Sequence, residues 1–378
     1  MFLLTPEQDT LRDSVREIVK KHIEPQAAFI DENRAFPVEN IKVLAENNLF
    51  ALYVYKKYGG QGLDSISQMI AIEEVARVCM TTSVFMTNQV LAMSPFIITG
   101  NQSQKENFLV KMASGQIMGA MAATERGAGS DVASIQTKAA KYNSHYVING
   151  QKCFIANGGE AGCYVVVAKT NPNWGHRGLS LFIVEEGRKG LLFGKVEKTM
   201  GIRGIPIREV IFKNCIIPEA NILGEEGQGF ITMMKAVDRT RIATAAQAVG
   251  NAQGALDYTL QYSRMRTQFR KPIASLQAIQ MMLADMATNI EAARMLSYHA
   301  ASLVDRDDIN LVKIASMAKV FASDMGVKVT GDAIQILGGY GYMQDHPLER
   351  MSRDAKAIQI YVGTNQINKT MIAGQLFM

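Results

Sequence analysis

Apolar residues along the first third of the chain recur with a helical period. Leu11, Val15, Ile18 and Val19 make one stripe. Ahead of them Thr5-Pro6-Glu7-Gln8 offers an N-cap, a proline at the first helical position and a glutamine three residues past the cap. Further helical stretches fall around 37–49, 65–80 and 103–113, and Gly59-Gly60-Gln61-Gly62 breaks two of them. From about residue 119 the period becomes that of strands. Tyr146-Val147-Ile148-Asn149-Gly150-Gln151-Lys152 is a β-branched run with an Asn-Gly pair, a strong hairpin signal, so a turn is expected there. Strands are also expected at 164–168, 179–184 and 210–217. The helical period returns over 230–264, 274–303, 311–337 and 357–375, lengths that pack as a bundle. The pattern predicts three units: helical 1–118, strand-rich 119–228 and helical 229–378. No Pro- or Ser-rich linker separates them, so a ligand is expected where they meet.

With 378 residues, 48% of them hydrophobic, the chain can bury a substantial core. Its net charge of +5 comes from scattered rather than clustered Lys and Arg. That argues against nucleic-acid binding and suits a polyanionic ligand, a nucleotide or coenzyme A, or an acidic protein partner. Cys79, Cys153, Cys163 and Cys215 form no CxxC pair and sit in apolar stretches, so they are expected as small buried hydrophobes. His22, His145, His176, His299 and His346 lie far apart, and no metal site is expected. No apolar run reaches the roughly 18 residues of a membrane span. Met1-Phe2-Leu3-Leu4 leads directly into the capped helix without a signal-peptide pattern, so a cytoplasmic location is expected.

The first chemical candidate is Thr124-Glu125-Arg126-Gly127-Ala128-Gly129-Ser130-Asp131, whose glycines let backbone N–H groups approach a ligand closely. It is not a GxGxxG turn and no βαβ unit follows it. It resembles the TEPGAGSD loop of the acyl-CoA dehydrogenases. Lys152-Cys153-Phe154-Ile155-Ala156-Asn157-Gly158 resembles that family's K-x-W-I-T-N-G strand. Leu223-Gly224-Glu225-Glu226-Gly227-Gln228-Gly229-Phe230 resembles its LGxEGxGF segment, and Arg266-Thr267-Gln268-Phe269-Arg270-Lys271-Pro272 its R-x-x-F-G-x-P. Gln335-Ile336-Leu337-Gly338-Gly339-Tyr340-Gly341-Tyr342 and Tyr361-Val362-Gly363-Thr364-Asn365 complete a set that runs from residue 5 to the C-terminus in the family's order.

The resemblance implies a mainly α fold with a helical N-terminal domain, a central β-barrel and a C-terminal four-helix bundle. FAD would lie between barrel and bundle across a subunit interface, in a homodimer or homotetramer. Met121, Thr124, Gly129, Ser130, Phe154, Ile155 and Ala156 would meet the isoalloxazine. Arg266, Gln268 and Gln277 would reach the diphosphate and adenosine from a neighbouring subunit, and a guanidinium suits that diphosphate. Gln335, Gly338 and Gly339 would cover the adenine, and Thr364 and Gln366 the phosphates. Ser130, Asp238 and Arg241 match positions on the pantetheine arm, with Val362 and Gly363 at the thioester. The partners implied are an acyl-CoA or acyl-carrier-protein thioester and an electron-transferring flavoprotein.

The chain departs from the family at its chemical centre. The family removes the α-proton with a glutamate while the β-hydride moves to flavin. In most branches that glutamate is in Y-E-G-T, where this chain has Val362; in others it precedes the Arg of D-x-x-R, where this chain has Thr240. Neither is a base near neutral pH, and losing a general base costs about 10²–10⁴-fold. Ala156 replaces the family's Thr near flavin N5, Phe154 its Trp, and Arg270 the Gly after Phe269. Glu349, Asp354 and Asp238 are the nearby carboxylates. Glu349-Arg350 and Arg353-Asp354 read as structural ion pairs, and Tyr361 as a pocket wall. The resulting expectation is a thioester-directed flavoenzyme with non-standard proton chemistry. The alternatives are a conventional dehydrogenase using another base, or a silent flavin- and acyl-CoA-binding protein.

Overall fold

The computed structural model describes residues 4–377; Met1-Phe2-Leu3 of the N-terminal reading and Met378 lie outside the described residues. Helix α1 (Pro6–Ile18) starts as its sequence demands. Thr5 Oγ1 accepts from Gln8 N at 3.3 Å, and Gln8 Oε1 accepts from Thr5 N at 3.0 Å. Helices α2 (Ala27–Asn33) and α3 (Val38–Glu46) follow, then α4 (Ser65–Ala76) and α5 (Met80–Thr99). A last helical stretch runs from α6 (Gln102–Gln104) to α7 (Val110–Ala113). The pattern reading did not anticipate α5. Nearly every one of its faces is buried, against α4, the sheet and the C-terminal helices, so no amphipathic period marks it.

The strands are β1 (Gly119–Ala122), β2 (Lys138–Tyr142), β3 (His145–Ala156), β4 (Cys163–Lys169), β5 (Leu179–Glu185), β6 (Leu191–Phe193) and β7 (Ile207–Pro218). They form one sheet in the order β1-β4-β2-β3-β7-β6, with β5 antiparallel on β4. The sheet curls into a half-barrel and does not close into the expected barrel. Its edge strand β6 is only three residues long, and the chain then leaves the sheet until β7.

Asn149-Gly150 is not a turn. Strand β3 continues through it with a register shift between Ile148 and Gly150, and the chain reverses at Asn143-Ser144 instead. Here the glycine serves packing: a Cβ on Gly150 would lie 2.4 Å from Thr137 Oγ1. Tyr146, Ile148, Tyr164, Val166, Phe182, Val184, Val210 and Phe212 fill one core of the half-barrel.

The C-terminal helices are α8 (Gly229–Met265), α9 (Gln277–Val304), α10 (Leu311–Leu337), α11 (Leu348–Ile358) and α12 (Asn365–Leu376). A small hairpin, β8 (Thr267–Gln268) with β9 (Lys271–Pro272), joins α8 to α9. The expected helix over 357–375 is thus two helices. Between them Val362 and Gly363 take left-handed backbone angles, φ 55° and 86°, which no helix accommodates. A shared core joins α1, α4 and α5 to the C-terminal helices. All four cysteines are buried, and burial pushes the Cys163 thiol up to about 12 and that of Cys215 to about 11. Among the described residues no acid, His and Cys cluster could hold a metal, and no helix is long and apolar enough to cross a membrane.

Candidate active site

Strand β1 delivers the chain into the 123–131 loop, which one buried ion pair organises. The Lys152 ammonium, with no exposure, donates to Glu125 Oε1 at 2.8 Å and to Ala123 O at 3.0 Å. Glu125 also accepts from Gln136 N at 2.6 Å, Thr137 N at 2.9 Å and Thr137 Oγ1 at 2.6 Å. Burial pushes the Glu125 carboxyl up, but the Lys152 ammonium and the other donors outweigh it, so the group is held below its ordinary value. Lys152 is driven down to about 8, by burial against the pull of Glu125. The loop closes with paired backbone bonds between Glu125 and Ala128, leaving Gly127 and Gly129 with open space beside them. Met121 and Thr124 are half-buried and Ser130 is exposed on this loop. Alongside, the ladder of β3 and β7 slips between Lys152 and Ile155. The bulge gives Phe154 a φ of 57° and turns its ring to solvent, while Ile155 points inward and Ala156 is half-buried.

A second region lies where α8 ends. Arg266, Gln268, Gly338 and Gly339, with Tyr262, Tyr340 and Met343, line a cleft of about 530 Å³. The Arg266 guanidinium stands over the Tyr340 ring, 5.1 Å from its centre. Gly338 and Gly339 have nothing within 4 Å of a Cβ, so their backbone is open to a ligand. Gln335 and Gln277 are exposed and do not line this cleft; the Gln335 carbonyl accepts from Gly338 N at the end of α10.

The third region joins α8 to the turn before α12. Asp238 and Arg241 form a buried ion pair, with the Asp238 carboxyl pushed up to about 6 by burial against the pull of Arg241. Thr240 is fully buried and donates to Ala236 O at 2.7 Å. A Cβ on Gly363 would sit 3.9 Å from Arg241 Nη2, so the structure brings Arg241 to the Val362-Gly363 turn. The Gly363 carbonyl accepts from Lys319 Nζ at 2.8 Å and Asn368 Nδ2 at 2.9 Å. Among the described residues the Val362 N–H has no hydrogen-bond partner. Thr364 caps α12 by accepting from Ile367 N at 3.3 Å, and Gln366 is exposed. Tyr361 donates to Gln247 Oε1 at 2.8 Å, and burial drives its hydroxyl far above the ordinary value. The sequence reading missed Lys319 and Asn368. For Lys319 a signal existed: a lysine on the small-residue stripe Ala315, Ala318, Ala322.

The other carboxylates are occupied. Glu349 pairs with Arg353 at 2.7 Å rather than with Arg350, and Arg353 also grips Asp31 at 2.6 Å. Asp354 pairs with neither; fully enclosed, it accepts from Ile202 N at 2.5 Å. Burial raises its pKa from 3.8 to about 7, so the folded state favours the protonated form. The stability this group lends is intact below about pH 4, falls as pH rises and is gone above about pH 7. Asp354→Asn is therefore expected to match the wild type in denaturant midpoint near pH 4 and to exceed it increasingly up to pH 7. A gap independent of pH would show that Asp354 is ionised throughout.

The open cleft with its cation, the glycine-rich loop and the free N–H beside a buried Asp-Arg pair sit on a fold shared with flavin-dependent oxidoreductases of acyl thioesters. Family models describe the chain over nearly its whole length: acyl-CoA dehydrogenase N-terminal domain over 5–116, middle domain over 120–215 and C-terminal domain over 227–377. The chain belongs to the acyl-CoA dehydrogenase family. It is 46% identical to a cyclohex-1-ene-1-carbonyl-CoA dehydrogenase of Syntrophus aciditrophicus, covering 98% of this chain and 90% of the relative. It is 44% identical to an acryloyl-CoA reductase (NADH) of Anaerotignum propionicum, covering 99% and 95%. Its fold matches butyryl-CoA dehydrogenase from Megasphaera elsdenii with a TM-score of 0.98 and 38% identity over all of both chains. The family's cofactor is FAD, and this chain fits it. The cleft presents a guanidinium and open glycine backbone, chemistry that suits a dinucleotide, and the loop and bulge leave Gly129 open and Phe154 exposed.

Proposed function

We propose that this enzyme exchanges a hydride with acyl-CoA thioesters whose α-carbon is already activated, above all α,β-unsaturated ones, and that it does so without a carboxylate base. One observation carries the reading. Val362, a β-branched residue, is held at φ 55° with its N–H unpartnered, while two donors pin the next carbonyl. Such a conformation is unfavourable for valine and persists only where the surroundings impose it. The oxyanion donor of the family's site is thus preserved while the side chain has lost all acid–base capacity.

FAD, when bound, supplies the two-electron donor and acceptor. The chain's own residues orient the thioester: the Val362 N–H donates to its carbonyl oxygen, and Asp238, Arg241 and Ser130 bind the pantetheine arm. With no carboxylate beside Cα, its proton comes from or leaves to solvent. That suits reduction of an enoyl thioester, or oxidation of a substrate whose α-proton is acidic. Against the conventional alternative, Glu349 and Asp238 are held in ion pairs with Arg353 and Arg241, and Asp354 accepts from Ile202 N. The names of two relatives, a reductase of acryloyl-CoA and a dehydrogenase of an already unsaturated thioester, point the same way. Reduced holoenzyme mixed anaerobically with enoyl-CoA thioesters should regain the flavin spectrum rapidly. Failure with every enoyl-CoA tried would sink this reading.

The same proposal extends to the cofactor's contacts and to assembly. Exposed Phe269, Tyr342 and Met265 are chain neighbours of cleft residues Gln268, Met343 and Arg266, and apolar exposure there suits a second copy of the chain. Across it Arg266, Gln268 and Gln277 would reach the partner's FAD, in a homodimer or homotetramer, and an electron-transferring flavoprotein would exchange electrons with it. Arg266→Ala is expected to lose FAD on dilution at least ~10-fold more readily, from loss of a charge-assisted diphosphate contact. Its thermal unfolding as apoprotein should be unchanged. Equal FAD retention, measured by flavin fluorescence release, would remove Arg266 from the cofactor site.

A further inference from the structure

Lys319 lies on α10 with its side chain wholly buried, yet it meets no carboxylate within 4 Å among the described residues. Its ammonium donates instead to two neutral oxygens, Gly363 O and Asn365 Oδ1, both at 2.8 Å. Burying an ammonium without a counter-charge is costly, and a neutral donor would make the same hydrogen bond without that cost. Asn368 does so on the very same carbonyl at 2.9 Å. The lysine is therefore redundant as a hydrogen-bond donor, and its charge is what distinguishes it.

The charges around the turn sharpen the point. Asp238 pairs with Arg241 on α8, but Arg241 still acts on Lys319. Asp324, on α10 itself, is partly exposed, bonded to Asn365 and Gln359, with Lys369 of α12 at 4.0 Å. Tyr361 stays neutral, Asp354 on α11 is bound to Ile202 N, and Lys356 on α11 reaches Gln359 at the surface. With valine at 362, no carboxylate among the described residues pairs directly with the Lys319 ammonium; Asp324 acts on it only from beyond Asn365.

We propose that Lys319 is a positioning residue that fixes the Val362-Gly363 turn and, through a charge that no carboxylate pairs directly, stabilises negative charge building on the thioester oxygen at the Val362 N–H. This rests on the reading of that N–H as the oxyanion donor. The charge compensates for the absent base: it makes the α-proton of a bound thioester more acidic, so that solvent can exchange it. Burial, and then Arg241, pull the Lys319 pKa down from 10.5 to about 7. The positive field is therefore present below about pH 7 and fades above it.

Acetoacetyl-CoA, whose α-proton is acidic, is a direct probe on the FAD-loaded protein. The ultraviolet absorbance of its bound enolate gives an apparent pKa without any turnover. Lys319→Gln keeps a donor and removes the charge; Asn368→Ala removes the neutral donor and keeps the charge. Lys319→Gln and Lys319→Met should raise the bound enolate's pKa by about one pH unit or more, while Asn368→Ala leaves it near the wild-type value. Flavin content and thermal unfolding confirm that each variant is folded. An unchanged enolate pKa in folded Lys319→Gln would overturn the proposal and leave the residue a structural donor. If wild-type holoenzyme does not bind acetoacetyl-CoA at all, the thioester reading of the Val362 turn fails, and the role of Lys319 falls with it.

Discussion

Lys152→Met is expected to cost roughly 3–5 kcal/mol of stability, because it strands a buried carboxylate. Glu125 would keep three donors, from Gln136 and Thr137, but lose the cation that pairs with it among the described residues. Methionine has similar length and fills the space, so the loss would be electrostatic rather than a cavity. The effect should not stop at stability. Lys152 also holds Ala123 O, and Glu125 closes the turn with Ala128, so the whole 123–131 loop depends on the pair. FAD should therefore be released more easily from Lys152→Met even where the protein is folded. The double variant Lys152→Met with Glu125→Gln should recover part of the stability, since neither charge is then left alone. Denaturant unfolding of the three proteins at pH 7 measures this. A loss below about 1 kcal/mol in the single variant would mean that water reaches the pair.

The second large effect is a gain. Val362→Glu is expected to speed flavin reduction by saturated acyl-CoA by about 10²-fold or more, within the range a positioned general base contributes. The turn is ready for the exchange. Glutamate is not β-branched, so it tolerates φ 55° better than valine, and Lys319 and Asn368 would go on holding the Gly363 carbonyl. Substrate affinity should change little, because Asp238 and Arg241 are untouched. The gain should appear in the rate of reduction rather than in the concentration dependence. Ala156 and Phe154 also stand where the family's motif has Thr and Trp, so the variant should fall short of a full dehydrogenase.

Where a single physical rule governs a segment, the sequence was readable. Helix α10 runs over 311–337 as its period predicts, and the Thr5 cap starts α1 as its spacing requires. Reading failed where two rules compete. Asn149-Gly150 is a hairpin signal by local chemistry, but pairing of β3 with both β2 and β7 overrides it, and Gly150 is needed for contact with Thr137. Helix α5 is buried all round and offers no period. The break at 359–364 is imposed by tertiary bonds from Lys319 and Asn368, which lie 44 and 5 residues from Gly363. Half-barrel closure depends on how far β6 extends, and its three residues carry no readable signal for that. The candidate site was visible as motifs, including the valine at 362. Its supports were not: Asn368 looks like any helical asparagine until the fold brings it to that carbonyl.

Whether the scaffold binds an acyl thioester without a base to start its oxidation is tested most directly by rapid anaerobic mixing of wild-type, FAD-loaded enzyme with saturated acyl-CoAs of graded length, followed at the flavin absorbance. The prediction is binding without prompt bleaching: reduction at every chain length about 10²-fold or more slower than in Val362→Glu. Complete bleaching of the wild-type flavin within milliseconds by any of these thioesters would contradict it.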